Sequence, residues 1–307
     1  EYRNLVEKRN VDAIVGYISS GNCQALAPVA EELKQFTIFA TCGTPRIFEE
    51  AARKYVFRTM GHATADNVAA AMYVKEKFPD MKGYTGINQN YAWGQDSWRD
   101  FDLTLQQIMP NTKASDKTQF PKIFAGQYGS EISAMSLDKA DLIHTSFWGG
   151  DLEAFIFQGN ARGLFKKKIG VFTVGGTAAY RLGKKLPNGL VLGARGPYGI
   201  LVKDRPSALN QWFINTYKDI YGIYPSGPAY QYGQAILAAK IAYDKAGSDA
   251  SNEQLANALR GITFESFSTT VEMTLGGGHQ AATENGYGIT EYDSENGENV
   301  VKDVKFY

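Results

Sequence analysis

Four small polar residues, Ser19, Ser20, Gly21 and Asn22, follow an apolar run at 11–18 and precede residues 25–33, whose Ala, Leu and Val recur at helical spacing. A helix N-terminus leaves backbone N–H groups unpaired, and these donors, with the helix dipole, attract an anion. The serine hydroxyls add donors of their own. The same residue types also serve as ordinary helix caps. Cys42, Gly43, Thr44 and Pro45 repeat the arrangement after a second apolar run at 36–41. Residues 11–58 thus read as strand, loop, helix, strand, loop, helix, strand. Both loops then leave the carboxyl ends of neighbouring parallel strands, the edge at which open α/β sheets bind ligands.

Residues with catalytic or metal-binding chemistry are sparse. The three histidines, His62, His144 and His279, lie in different segments, and no HExxH, CxxC or GxSxG occurs. His144 sits inside a buried-strand pattern and reads as a satisfied core residue. His279, within Gly-Gly-Gly-His-Gln, reads as a turn residue. Gly175, Gly176 and Thr177 are too few to form a phosphate loop, and no G-x-G-x-x-G follows a strand. No catalytic residue, metal site or cofactor is expected, and an enzyme is the disfavoured class. Cys23 and Cys42 each lie just beyond one of the two neighbouring strands. They read either as a disulfide, suited to an oxidising compartment, or as two small, partly buried thiols.

The elements that position these residues follow one pattern. Helices at 64–78, 94–109, 129–137 and 151–163 alternate with strands at 83–88, 141–147 and 169–174, the βα repetition of a parallel sheet flanked by helices. A short strand at 190–194 and helices at 205–221, 228–246 and 252–259 follow. Ser251 caps the last of these, with Gln254 as its partner. From 262 onward, apolar residues scattered among Gly, Asn and Thr suggest short strands. The chain has 307 residues and 44% apolar content, enough for two domains. Thirty-two basic residues balance thirty-two acidic ones. The one basic run, Lys166-Lys167-Lys168, reads as the solvated end of a helix, so a nucleic-acid partner is not expected. No apolar run approaches the roughly 18 residues that span a membrane. No signal peptide opens the sequence, which fits a mature or trimmed form, or a cytosolic protein. Residues 1–9 look like the end of a helix, so further residues are expected upstream.

VDAIVG with its serine-rich loop, YVFRT, NQNYAWGQDSW, ADLIHTSFWGGDLEAFIFQGNARGL, PSGPAYQYGQAILAAKIAYDKAGS and FESFSTTVEMTLGGGHQ occur in this order over nearly the whole chain. Together they resemble the type I periplasmic solute-binding proteins of ABC importers, in the branch of the leucine/isoleucine/valine-binding proteins. The resemblance implies an α/β fold of two Rossmann-like lobes joined by three hinge crossovers, with a ligand cleft between them. It places 1–59 and 198–261 in lobe 1 and 60–197 in lobe 2, with 262–307 recrossing to lobe 2. Hinges fall at 58–61, at 194–198 and after 261. About two strands usual in the family before the first residue are not in this sequence.

The resemblance also implies the site. Ser19, Ser20, Gly21 and Asn22, with Cys42, Gly43 and Thr44, take the place of the loops that hold a ligand carboxylate. These are neutral donors, sufficient for one negative charge without a buried cation. Trp93 stands where the family has a tyrosine before Gly94, and Trp148 matches an aromatic after the strand at 141–147. Tyr91 and Tyr230 join them, Tyr230 and Tyr232 as the weaker candidates. Amino-acid-binding relatives place an acidic residue near Gly175 to pair with the ligand's ammonium, but no carboxylate lies within 169–180. Asp151 is the nearest substitute, though it reads as a cap of the following helix. The expected ligand is a small carboxylate without an α-amine, aromatic or bulky and apolar. The expected partner is an ABC permease, and the expected state a monomer outside the cytoplasm. An amino-acid-binding member of the family and a sensory ligand-binding domain are the alternatives.

Overall fold

The structure is a computed structural model that describes residues 1–177 and 179–307. Strands run in chain order as β1 (Ile14–Gly16), β2 (Thr37–Phe39), β3 (Val56–Arg58), β4 (Gly83–Gly86), β5 (Lys113–Ala114), β6 (Leu142–Thr145) and β7 (Ile169–Phe172). They continue as β8 (Val191–Leu192), β9 (Thr263–Glu265), β10 (Thr270–Leu275), β11 (Gln280–Ala282), β12 (Gly286–Asp293) and β13 (Glu298–Phe306). These strands form two mixed sheets within an α/β fold, each flanked by helices.

The first compact unit comprises Glu1–His62, Arg205–Phe213 and Pro228–Glu284. Its sheet has the order β1-β2-β3-β11-β10-β9. The first four strands in that order are parallel, and β10 runs antiparallel to both β11 and β9. Side chains alternate across the sheet, as the two-residue period of a strand requires. Phe36, Ile38, Ala40 and Phe57 enter one core with Leu255, Leu259, Val271 and Met273. Phe39 and Val56 face the other side with Tyr2, Ile14, Cys23 and Ala27. Both faces are covered, which explains why these strands read as unbroken apolar runs.

The second unit comprises Ala63–Asp204, Ile214–Gly227 and Asn285–Tyr307. Its sheet has the order β13-β12-β8-β7-β6-β4-β5, parallel from β5 to β8 and closed by the antiparallel hairpin β12–β13. Tyr73, Tyr84, Phe101, Leu105, Leu142, Val171, Val191 and Tyr287 form its core. Gly94 opens a tight corner at the start of the helix Ala92–Ile108, where a Cβ would run into the carbonyl oxygen of Gln89.

Three expectations about local structure are revised. The strands after 262 do not all recross to the second lobe: β9, β10 and β11 join the first sheet, and only β12 and β13 join the second. The reason lies in pairing. β11 lines up parallel to β3, with Gln280 opposite Arg58, whereas β12 lines up antiparallel to β8. Segments 198–204 and 214–227 belong to the second unit, and 60–62 to the first. The first-unit helix begins at Ser20 and not at 25, and runs to Glu32. Ser251 and Gln254 make the expected reciprocal cap of the helix Asn252–Leu259.

Candidate functional site

In the first unit the serine-rich segment is the first turn of a helix. Ser19 is the N-cap residue, but its side chain makes no capping bond. Ser20, Gly21 and Asn22 already lie in the helix, so they do not form a loop in front of it. Ser20 is buried, and its Oγ accepts a hydrogen bond from the Thr44 backbone N–H at 3.1 Å. Gly21 and Asn22 are exposed, and Ser19 is half-buried. Cys42, Gly43 and Thr44 are all buried. Thr44 Oγ1 accepts from the Arg46 backbone N–H at 3.3 Å. Cys23 and Cys42 are joined by a disulfide, with their Cα atoms 6.4 Å apart, which ties the helix start to the second loop.

Beneath these loops stands a cation, contrary to the expectation of neutral donors alone. Arg58 ends β3 and is wholly buried. Its Nη1 donates to the carbonyl oxygens of Cys42 and Thr44, each at 2.7 Å. Its Nε donates to Gln280 Oε1, while Gln280 Nε2 donates to the Met60 carbonyl at 2.7 Å. The guanidinium also lies 5.3 Å from the centre of the Phe48 ring. A helix start with a guanidinium beneath it favours an anion in two ways, by donors and by charge. The sequence signal was a charged residue closing an apolar strand.

In the second unit the candidate aromatics come together. Trp93, Ala63 and Val174 form a small buried cluster, with Tyr91 and Trp148 packed against it. Tyr91 and Trp148 are the extended N-cap residues of the helices Ala92–Ile108 and Gly149–Ala161, so the ends of β4 and β6 deliver them to one sheet edge. Trp93 is buried; its Nε1 donates to the Ser146 carbonyl at 2.8 Å. The Arg195 guanidinium lies 4.0 Å from the centre of the Trp93 ring. Arg195 Nε also donates to Asp66 Oδ2 at 3.0 Å, in a pair buried on both sides. Trp148 is half-buried, and its Nε1 donates to the Tyr91 hydroxyl oxygen at 2.7 Å. Burial pushes the Tyr91 hydroxyl well above the ordinary tyrosine range, against the opposite pull of the Trp148 N–H and the nearby Arg195 charge. Tyr91 therefore keeps its proton.

Asp151 does not cap its own helix. It is buried, and its Oδ2 accepts from Gln89 Nε2 at 2.6 Å and from the Phe124 backbone N–H at 2.7 Å. Its Oδ1 accepts from the Gly126 N–H at 3.3 Å. Gly175 opens a short 3-10 turn and packs on Leu192, where a Cβ would collide. Its place beside Val174 brings its backbone next to the aromatic cluster. Ala178, inside the stretch 169–180 that carries no carboxylate, lies outside the described residues. Tyr230 belongs to the first unit. Its hydroxyl donates to Asn210 Oδ1 at 2.8 Å, and its ring meets Phe213 and Phe267 edge-on, so it serves packing there. Phe124, exposed at a loop position, went unread in the sequence, and Ile18, which reads as the end of the strand run 11–18, lies exposed beyond β1 and beside Ser19.

His144 is the core residue expected. It is wholly buried and stacks on Phe101 at 4.3 Å. Its Nε2 meets Asn67 Oδ1 at 2.6 Å and its Nδ1 meets Asn88 Nδ2 at 3.3 Å, an arrangement suited to the neutral Nε2–H tautomer. Asn88 Oδ1 in turn accepts from the N–H and the hydroxyl of Ser146, whose carbonyl holds Trp93. Burial lowers the His144 pKa to about 3. The unfolded chain takes up this proton below its ordinary pKa of about 6.5. Stability is therefore complete above that pH and falls as pH drops toward 3. One such histidine costs about 2 kcal/mol between pH 7 and pH 5. Urea unfolding at the two pH values checks this, and the drop should shrink in His144→Gln. His279 is the turn residue expected, following the 3-10 turn Gly276–Gly278, and it is buried there: it stacks on Phe57 at 4.3 Å, and burial lowers its pKa too.

Among the described residues, no group of three or more His, Cys, Asp or Glu side chains could hold a metal ion. Among the same residues, no helix is long and apolar enough to cross a membrane.

A family model described as "Periplasmic binding protein" matches residues 1–298. No curated protein matches the chain. Solved structures do. A solute-binding protein of an ABC transporter from Rhodopseudomonas palustris BisB5, in complex with 3,4-dihydroxybenzoic acid, is 19% identical with a TM-score of 0.85, over 99% of this chain and 81% of that one. Another from R. palustris, in complex with benzoate, is 18% identical with a TM-score of 0.81, over 98% and 79% of the two chains. The leucine-binding protein LivK of Thermotoga maritima is 19% identical with a TM-score of 0.80, over 98% and 81%. At these identities the likeness carries the fold. The match over 298 residues carries more: the chain belongs to the periplasmic binding protein family, a family of binding proteins.

Proposed function

We propose that the protein captures a small organic acid outside the cytoplasm, an aromatic or bulky apolar carboxylate, and delivers it to an ABC permease. In this reading the start of the helix Ser20–Glu32 and the 42–44 loop supply the carboxylate's donors, with the Arg58 charge behind them. Tyr91, Trp93 and Trp148 supply the surface for the rest of the ligand, and the protonated Tyr91 hydroxyl can donate to a polar substituent on it.

The observation that carries the reading is the bonding of Asp151. It is the one carboxylate near the aromatic cluster that sequence reasoning offered to a ligand ammonium. Three N–H donors and the Tyr128 hydroxyl already occupy its oxygens, which fills the four acceptor sites of a carboxylate. An ammonium desolvated beside it would have to displace them or stay unpaired, at a cost of several kcal/mol. The R. palustris relatives were solved with benzoate and 3,4-dihydroxybenzoic acid, which supports the same ligand class. The leucine-binding relative from T. maritima favours the second reading, an amino-acid binder. A thermal-shift screen of carboxylic acids, amino acids and sugars tests the choice. Ring-bearing acids should raise Tm more than any amino acid, and a larger rise with leucine or valine would reverse the assignment.

A further inference from the structure

We propose that Phe124 is a further specificity-determining residue, a wall that selects flat aromatic acids over saturated ones of the same size, and that Asp151 is the positioning residue that holds it there. This rests on the reading of the protein as a carboxylate-binding transport component.

Phe124 is 67% exposed, unusual for a ring of its size, and its backbone is left-handed with φ +61°. A non-glycine residue in that region is strained and persists only where its surroundings over-determine it. Here they do. The Phe124 and Gly126 N–H groups both donate to the buried Asp151 carboxylate. Gln158 grips the segment on the far side: its Nε2 donates to the Gly126 carbonyl at 2.9 Å, and its Oε1 accepts from the Tyr128 N–H at 2.8 Å. On the near side, the Asn90 N–H donates to the Pro121 carbonyl at 2.9 Å. Gln89, which also bonds Asp151, is itself wholly buried.

This scaffold aims the Phe124 ring at Trp148. Their centroids are 5.6 Å apart and their planes meet at 80°. Two rings at a right angle form a corner with one flat wall from each. An aromatic ligand can lie offset-stacked on one ring and edge-on to the other, and both arrangements are favourable for ring quadrupoles. A saturated ring is thicker and carries no quadrupole, so it gains only the apolar area. The same geometry explains why a buried carboxylate stands near the aromatic cluster of a protein read as binding an acid. Asp151 is directed at the backbone of 124–126 and not at a ligand.

The test compares benzoate with cyclohexanecarboxylate by calorimetry on the wild-type protein, Phe124→Ala, Phe124→Tyr and Asp151→Asn. Wild type should prefer benzoate. Phe124→Ala should weaken benzoate about fivefold and cyclohexanecarboxylate less than twofold. Phe124→Tyr should keep the preference. Asp151→Asn retains one acceptor oxygen and should fold, yet lose part of the preference because the corner loosens. Equal loss for both acids in Phe124→Ala, or no loss for either, would overturn the role of Phe124. An unchanged preference in Asp151→Asn would overturn the positioning role. Failure of wild type to bind either acid would instead defeat the carboxylate reading, and this inference with it.

Discussion

Trp148→Ala should weaken binding of an aromatic acid about 20- to 100-fold. Burying a large apolar group is worth roughly 1.5–3 kcal/mol, and truncating the indole removes the surface against which the ligand would be buried. Two further losses add to this. The Tyr91 hydroxyl loses the N–H that donates to it at 2.7 Å, so its orientation is no longer fixed. Phe124 loses the ring it meets edge-on. Trp148 is half-buried and packs at the edge of its cluster, so global stability should change little. Ser19→Ala is the matched control. Its side chain makes no capping bond, and any change should stay below about threefold. Calorimetry with benzoate on both variants measures the contrast, and equal losses would remove the aromatic set from the site.

Arg58→Met should lower the free energy of unfolding by about 3–5 kcal/mol. The guanidinium is wholly buried and holds three acceptors: the carbonyls of Cys42 and Thr44 and the amide oxygen of Gln280. Methionine fills much of the volume but donates nothing, so these groups are left desolvated without partners. The gain from no longer burying a charge offsets only part of that. Arg58→Lys should recover part of the loss, because an ammonium reaches fewer acceptors than a planar fork. Urea unfolding reads the stability. Carboxylate binding should fall as well, since the same carbonyls fix the 42–44 loop. A variant as stable as wild type would mean that the loops are held by the disulfide and by Ser20 alone.

Much of the fold was legible because each core strand is buried on both faces and each helix keeps its period. The runs at 36–41 and 141–147 stand out for that reason, and the Ser251–Gln254 cap could be named from two letters. The partners of the late strands were not legible. Residues 263–282 and 286–306 have the same texture of Thr, Gly and isolated apolar residues, yet they join different sheets. Short strands encode a face but not a neighbour. The helix start at Ser20 was hidden because Ser, Gly and Asn are poor helix formers that favour caps and turns. At the site, residue types pointed to Tyr91, Trp93 and Trp148, which the structure gathers in one cluster. Tyr230 was offered on the same grounds, but Asn210 and two phenylalanine rings enclose it. Arg58 and Phe124 escaped notice because their roles depend on partners distant in sequence. Asp151 was read as a cap because an acid in a first helical turn usually is one. Its actual partners are backbone N–H groups 25 and 27 residues earlier and a glutamine 62 residues earlier.

The central claim is that this member of the periplasmic binding protein family takes a carboxylate without an amine. Isothermal titration of the purified protein with benzoate and with leucine, under one buffer and with any co-purified ligand first removed by unfolding and refolding, tests it most directly. The account predicts micromolar or tighter binding of benzoate and no measurable heat from leucine. Micromolar binding of leucine with none of benzoate would contradict it.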